Sequence, residues 1–246
     1  MQRVLPWIGL CALIIVLGAS CDNPADNVAP ATVTEAQPVP ELTTAPVPEP
    51  AVTPEPEPAV DEPATEPDAL SETPEPAPEP KPAAEPLNLS FTDNSMVTFE
   101  GSKVTGSHSG GFVDFNGEIA MADGTFDTAR ITIDIDMTSL FSDNGVLTDT
   151  LKGERFFEVD KFPASKFVST KIEKTSDGYT ITGNLEMHGV TKGIAFPATV
   201  SIDDGVLTST AEFSIDRFQW EIEDEGMQDD LIRKEVVIRF DIEAAA

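Results

Sequence analysis

Few side chains in this sequence can break a bond or hold a metal, and their spacing limits what they can do. The two histidines, His108 and His188, stand in the contexts TGSHSGG and LEMHGVTK, with no second histidine or cysteine close by. Zinc takes three or four donors at set spacings, so a hydrogen bond in a turn or at a barrel rim is the expected use of each imidazole. Cys11 lies inside an apolar run and Cys21 stands alone just after it. The acidic stretch EIEDEGMQDD at 221–230 lacks the D-x-D-x-D-G spacing of an EF-hand loop and reads as a solvated loop. A Gly-x-Ser-x-Gly elbow, a Walker loop and a dinucleotide fingerprint are all missing from the sequence. With 44 Asp+Glu in the chain, no carboxylate pair stands out as an acid–base dyad. The expectation is a binding protein, not an enzyme, with no metal and no cofactor.

The elements that carry these residues follow from composition. The 246 residues have a formal charge of -29, which argues against a nucleic-acid partner and against adsorption on anionic lipid, since both need basic patches. Of the 21 prolines, 18 fall in residues 22–86, a stretch with 15 Asp+Glu, one lysine (Lys81), no glycine and no aromatic residue. Such a segment cannot bury a core. Residues 87–246 hold every aromatic residue except Trp7, so one folded domain, with a charge of -16, is expected to carry the function.

Residues 1–20 combine an early cation, Arg3, with an apolar run from Val4 to Leu17 and small residues before Cys21. The run is short for a bilayer span of about 20 residues and reads as an export signal. Gly18, Ala19 and Ser20 leading to Cys21 resemble the lipobox of bacterial lipoproteins, with Leu17 one place further from the cysteine than that pattern's leucine. The resemblance implies lipid attachment at Cys21 and a membrane-anchored protein of the bacterial cell envelope. Cys11 would leave with the signal, so no intramolecular disulfide is expected.

The Pro-rich tract, with runs such as TPEPAPEPKPAAEP, favours extended polyproline II because proline fixes φ and the glutamates repel one another. Residues 22–86 are therefore expected to form a disordered spacer, on the order of 200 Å long if fully extended at ~3.1 Å per residue.

From residue 96 onward apolar and polar residues alternate between turn signals. Residues 130–137, RITIDIDM, alternate at every position, as a strand with one dry and one wet face requires. Eight strands are expected, at 96–104, 112–121, 130–137, 166–174, 179–187, 194–202, 206–215 and 231–242. Asn116-Gly117, Asp123-Gly124, Asn144-Gly145, Asp177-Gly178 and Asp204-Gly205 read as tight turns. Residues 147–162 break the alternation and suggest a short helical cap, with Thr148 as its N-cap and Pro163 as its end. The fold class is all-β: an eight-stranded antiparallel barrel, either filled by its own side chains or holding one slender ligand.

The segments SMVTFEGSKVTGSHSGGFVDFNGEI (95–119), ITIDIDMTSL (131–140), LTDTLKGERFFEVDKFPASKF (147–167), ITGNLEMHGVTKGIAFPATV (181–200) and FSIDRFQW (213–220) resemble the YceI family of bacterial lipid- or polyisoprenoid-binding barrels. The resemblance implies a lipocalin-like barrel with an elongated apolar pocket for an isoprenoid chain, such as a polyprenol or a quinone tail. Taking the alternation as inside and outside, the pocket would be lined by Val113, Phe115, Ile119, Ile131, Ile133, Ile135, Met137, Phe167, Ile181, Leu185, Met187, Ile194, Phe196, Phe213 and Ile215. Phe156 and Phe157 would cap it. Residues 151–174 hold six cations against four acids, and this locally basic segment is the expected mouth. The reading is an exported, membrane-tethered carrier or buffer of isoprenoid lipid. The alternative is a structural or stress-related envelope protein with a filled barrel. A homodimer is the one protein partnership kept open.

Overall fold

The computed structural model describes residues 23–40, 86–122, 124–223 and 232–246. The expected signal segment, Cys21, most of the Pro-rich tract and the acidic residues 224–230 lie outside the described residues.

Eight long antiparallel strands close into a barrel, with one short α-helix among the described residues. Three of the eight are bent, and each bend divides a strand in two. Strands β2 (Leu87–Phe91) and β3 (Met96–Lys103) both pair with β12 (Ile232–Ala245). Strands β4 (Gly106–Phe112) and β5 (Phe115–Met121) follow them, pairing with β3 and β2 respectively. Strands β6 (Ala129–Asp136) and β7 (Leu140–Ser142) continue on β5 and β4. Strands β8 (Ala164–Lys174), β9 (Tyr179–Met187), β10 (Val190–Asp203) and β11 (Val206–Asp216) complete the ring back to β12.

Short polar side chains hold the bends by bonding to nearby backbone and to side-chain carboxylates. At the first bend Thr92 Oγ1 and Asn94 Nδ2 donate to Glu243 Oε1, while Ser95 Oγ donates to the Glu243 carbonyl. At the other two, Asp136 Oδ1 accepts from Thr138 N and Oγ1, and Asp114 N donates to Ser139 Oγ. The hydroxyl and amide of Thr138 hold the Asp136 carboxyl below the ordinary aspartate range.

Several sequence expectations need correction. Asn116-Gly117 is not a turn: both residues lie inside β5, where the Phe91 ring occupies the space that a Cβ on Gly117 would need. The helix, α1, spans Gly145–Lys152, with Asn144 as N-cap rather than Thr148, and 153–162 form turns. The hairpin between β9 and β10 turns on His188-Gly189, both at positive φ, which the sequence reading missed. Asp204-Gly205, also at positive φ, joins β10 to β11 as expected.

The largest correction is upstream. Residues 23–40 do not belong to an extended spacer but are docked on the barrel. Asn23 is buried, accepts from Ser102 Oγ at 3.0 Å and caps a 3-10 turn at Pro24–Asn27. Strand β1, Thr32–Glu35, then pairs antiparallel with β10 through Thr32–Ala195, Val33–Ile194, Thr34–Gly193 and Glu35–Lys192. Residues 31–37 are free of proline, and ATVTE alternates apolar and polar like a strand. Ala31 and Val33 accordingly pack against the core.

Candidate functional site in the barrel interior

The interior is an aromatic column wrapped in aliphatic side chains. Phe196 stacks on Phe213 with centroids 4.3 Å apart, and Phe167 and Phe240 flank this pair at 5.7 and 5.8 Å. Gly183 on β9 makes room for the Phe167 ring, whose tip lies 2.4 Å from where a Cβ would stand. Beside the column lies an internal space of about 30 Å³, lined by Ile119, Ile131, Ile133, Phe167, Ile181 and Phe196 from the expected set. Phe91, Phe126, Ala198, Ala211, Phe240 and Ile242 also line it, and Ser209 is its one polar neighbour. The space is about the size that one water needs, and its lining offers a water almost no partner.

The remaining expected residues divide into three groups. Ile194, Phe213, Ile215 and Phe156 are buried in the same core cluster, and Ile135, Phe157, Leu185 and Met187 pack against it. Met137 is buried but sits in the turn between β6 and β7, and Phe115 is half-buried at the start of β5. Val113 does not line the interior: it is 68% exposed, because the β4–β5 bend interrupts the alternation there.

The α1 end, where the basic segment suggested a mouth, is closed. Trp220 is wholly buried there, and its indole N–H donates to the Leu185 carbonyl at 3.1 Å. The His188 Nδ1 lies 3.2 Å from the Trp220 carbonyl, with the Phe162 ring 4.5 Å from the imidazole. Buried Arg217 bonds the Ile222 carbonyl and faces the Phe156 and Phe218 rings. Of these, sequence reasoning assigned only Phe156 to the cap. The other histidine, His108, is on the surface, 2.8 Å from Asp143. Neither histidine lines the internal space, and no metal-binding cluster occurs among the described residues.

A second concavity lies in the wall. Strands β10 and β11 pair only from Thr199–Thr210 to Asp203–Val206, so they part above Thr199. A groove of about 700 Å³ lies at the parting, and Ala198, Ala211 and Phe240 line both this groove and the internal space. Its polar rim carries Asp177, Glu212, Asp241 and Arg239. The Arg239 guanidinium bonds Glu212 at 2.7 Å and Glu100 at 3.1 Å. Partial burial lowers its pKa, but the two carboxylates more than offset that, and the net shift is upward.

The sequence profile of the YceI-like domain matches residues 91–244. A UPF0312 protein of Pseudomonas putida strain F1 is 36% identical over 91 residues, which are 37% of this chain and 47% of that protein. One from Yersinia pestis strain Pestoides F is 32% identical over 92 residues, which are 37% of this chain and 48% of that protein. These matches span about half the length of the curated relatives. Among solved structures, Burkholderia cenocepacia BcnA is similar, with TM-score 0.56 and 21% identity over 61% of this chain and 96% of that one. A Saccharophagus degradans structure, described as a polyisoprenoid binding domain implicated in plant cell wall breakdown, has TM-score 0.52 and 16% identity over 65% of this chain and 98% of that one. At these identities the structural likeness concerns the fold.

Proposed function

The chain belongs to the YceI-like family, and from that premise we propose that its barrel holds the chain of an isoprenoid lipid, a polyprenol or a quinone tail, without catalysing a reaction on it. The observation that carries this reading is the lining of the interior, in which Ser209 alone interrupts an aromatic and aliphatic surface. The description of the Saccharophagus domain as polyisoprenoid binding supports the same ligand class.

Leaving water gains about 4 kcal/mol per five-carbon unit, at roughly 0.8 kcal/mol per CH₂. A bilayer is already apolar, so the net gain from bilayer to barrel is near zero. Those energetics suit a carrier or buffer that exchanges lipid with a membrane. An acylated Cys21 in the bacterial envelope would keep it within reach. A neutral head group is favoured, because the groove carries Asp177, Glu212 and Asp241 and its one cation, Arg239, is already paired with two carboxylates.

The small internal space favours a second reading, a structural envelope protein whose barrel is filled by its own rings. Under the first reading the aromatic column must separate to admit a chain. Partition of undecaprenol between the purified protein and phosphatidylcholine vesicles distinguishes them: comparable shares in protein and bilayer support the carrier, and none in the protein supports the filled barrel.

A further inference from the structure

We propose that the seam between β10 and β11, sealed by residues 29–35, is the port through which an isoprenoid chain passes sideways into the barrel. The identity of the cargo rests on the reading above; the port rests on the architecture.

Toward both ends the interior is packed with side chains that have no exposed surface: Trp220 toward α1, and Leu207 and Ala244 toward the other end. The wall has a different kind of closure. Residues 211–216 of β11 bond β12 on one edge but have no β10 partner on the other. Those six residues run for about 20 Å at ~3.3 Å each, a slot that matches a flexible chain laid along it.

Residues 29–35 fill this slot from a distant part of the sequence. On one side β1 pairs with β10 over four residues. On the other, the contact with β11 is a single parallel bridge at Ser214, whose carbonyl accepts from Ala31 N at 2.8 Å and whose N–H donates to the Ala29 carbonyl at 3.1 Å. Thr34 and Glu35 approach Gly193 so closely that a Cβ there would lie 2.4 Å from Thr34 Oγ1. Outside the wall, Gln37 and Asn184 exchange two hydrogen bonds, and Lys192 pairs with Glu35 at 3.0 Å.

This part of the wall is weakly held. Strand β9 pairs with β10 from Val190–Met187 to Ala198–Tyr179 and with β8 along its whole length, whereas β1 is four residues long and Thr32, Thr34 and Glu35 are exposed. Segments with few buried contacts and exposed backbone bonds open first. Release of β1 would extend the existing groove upward along the slot, and that groove already shares Ala198, Ala211 and Phe240 with the internal space.

The test locks the strand with Glu35→Cys and Lys192→Cys, register partners on β1 and β10, in a full-length chain carrying Cys11→Ser and Cys21→Ser. Uptake of undecaprenol from phosphatidylcholine vesicles is timed by native mass spectrometry for the oxidised and reduced forms of the same protein. Oxidation should slow uptake by about tenfold or more, and reduction should restore it. Equal rates in the two forms, with the Ala31 and Ser214 amides exchanging only on global unfolding, would overturn the port. If neither form takes up undecaprenol, the isoprenoid reading falls, and amide hydrogen exchange alone decides the opening of the seam. The amides of Ala31 and Ser214 should then exchange together and well ahead of those in β9; exchange only with global unfolding overturns the proposal.

Discussion

Phe196 and Phe213 stack at 4.3 Å with their ring planes 17° from parallel, and this contact holds the middle of the barrel closed. A ligand chain and this stack compete for one volume. Phe213→Ala should cost about 3–5 kcal/mol in the ligand-free protein, by lost transfer and by the cavity left behind. Saturating undecaprenol should recover part of that loss, since a ligand that binds only the folded state stabilises it. Denaturant melts with and without the lipid measure both quantities. A barrel that never admits a chain shows the loss without the recovery.

Ala198 is one of two alanines shared by the wall groove and the internal space. Ala198→Phe should place a ring across that connection. Overpacking costs about 1–3 kcal/mol, and the groove gives part of the ring somewhere to go. Uptake of undecaprenol should fall several-fold while the fold persists, as followed by vesicle transfer and circular dichroism.

Trp220 closes the α1 end with its indole fully buried and bonded to Leu185. Trp220→Ala should destabilise by about 3–5 kcal/mol. Trp220→Phe keeps most of the apolar contact and gives up the bond, so it should cost less, with about 1 kcal/mol of the loss due to the bond itself. Urea denaturation of the two variants gives the order directly.

The Asp143 carboxyl accepts from His108 and from the Ser109 N–H, and these bonds hold its pKa below the ordinary aspartate value of 3.8. A depressed folded-state pKa means that the contribution is present above the unfolded value and is lost as pH falls through the folded value. Because the pair is exposed, the effect on stability should be small. Carboxyl NMR should show Asp143 titrating below the ordinary aspartate range, and His108→Ala should move it back toward 3.8.

How far the sequence was legible depended on whether neighbours in the chain or neighbours in space set the structure. The alternation of 130–137 locates β6 because that pattern is local, and Asp204-Gly205 gives its turn for the same reason. Strand β4, with the sequence GSHSGGF, has no alternating apolar face and takes its place from β3 and β7 on either side. Val113 fails as a lining residue because a bend stabilised by Asp114 and Ser139 resets the period. Strand β1 was hidden by the proline content around it, although Ala31 and Val33 already showed the period of two. Phe126, Ala198 and Phe240 reach the interior through closure of the ring, which only long-range pairing reveals.

The central claim, that the barrel interior takes an isoprenoid chain, is tested most directly by native mass spectrometry of the protein purified from its native host cells under non-denaturing conditions, followed by extraction of what it holds. The account predicts one neutral polyprenol or prenylated quinone per chain, lost on unfolding. A barrel recovered empty that stays empty after incubation with undecaprenol, or one carrying only polyprenyl phosphates, would contradict it.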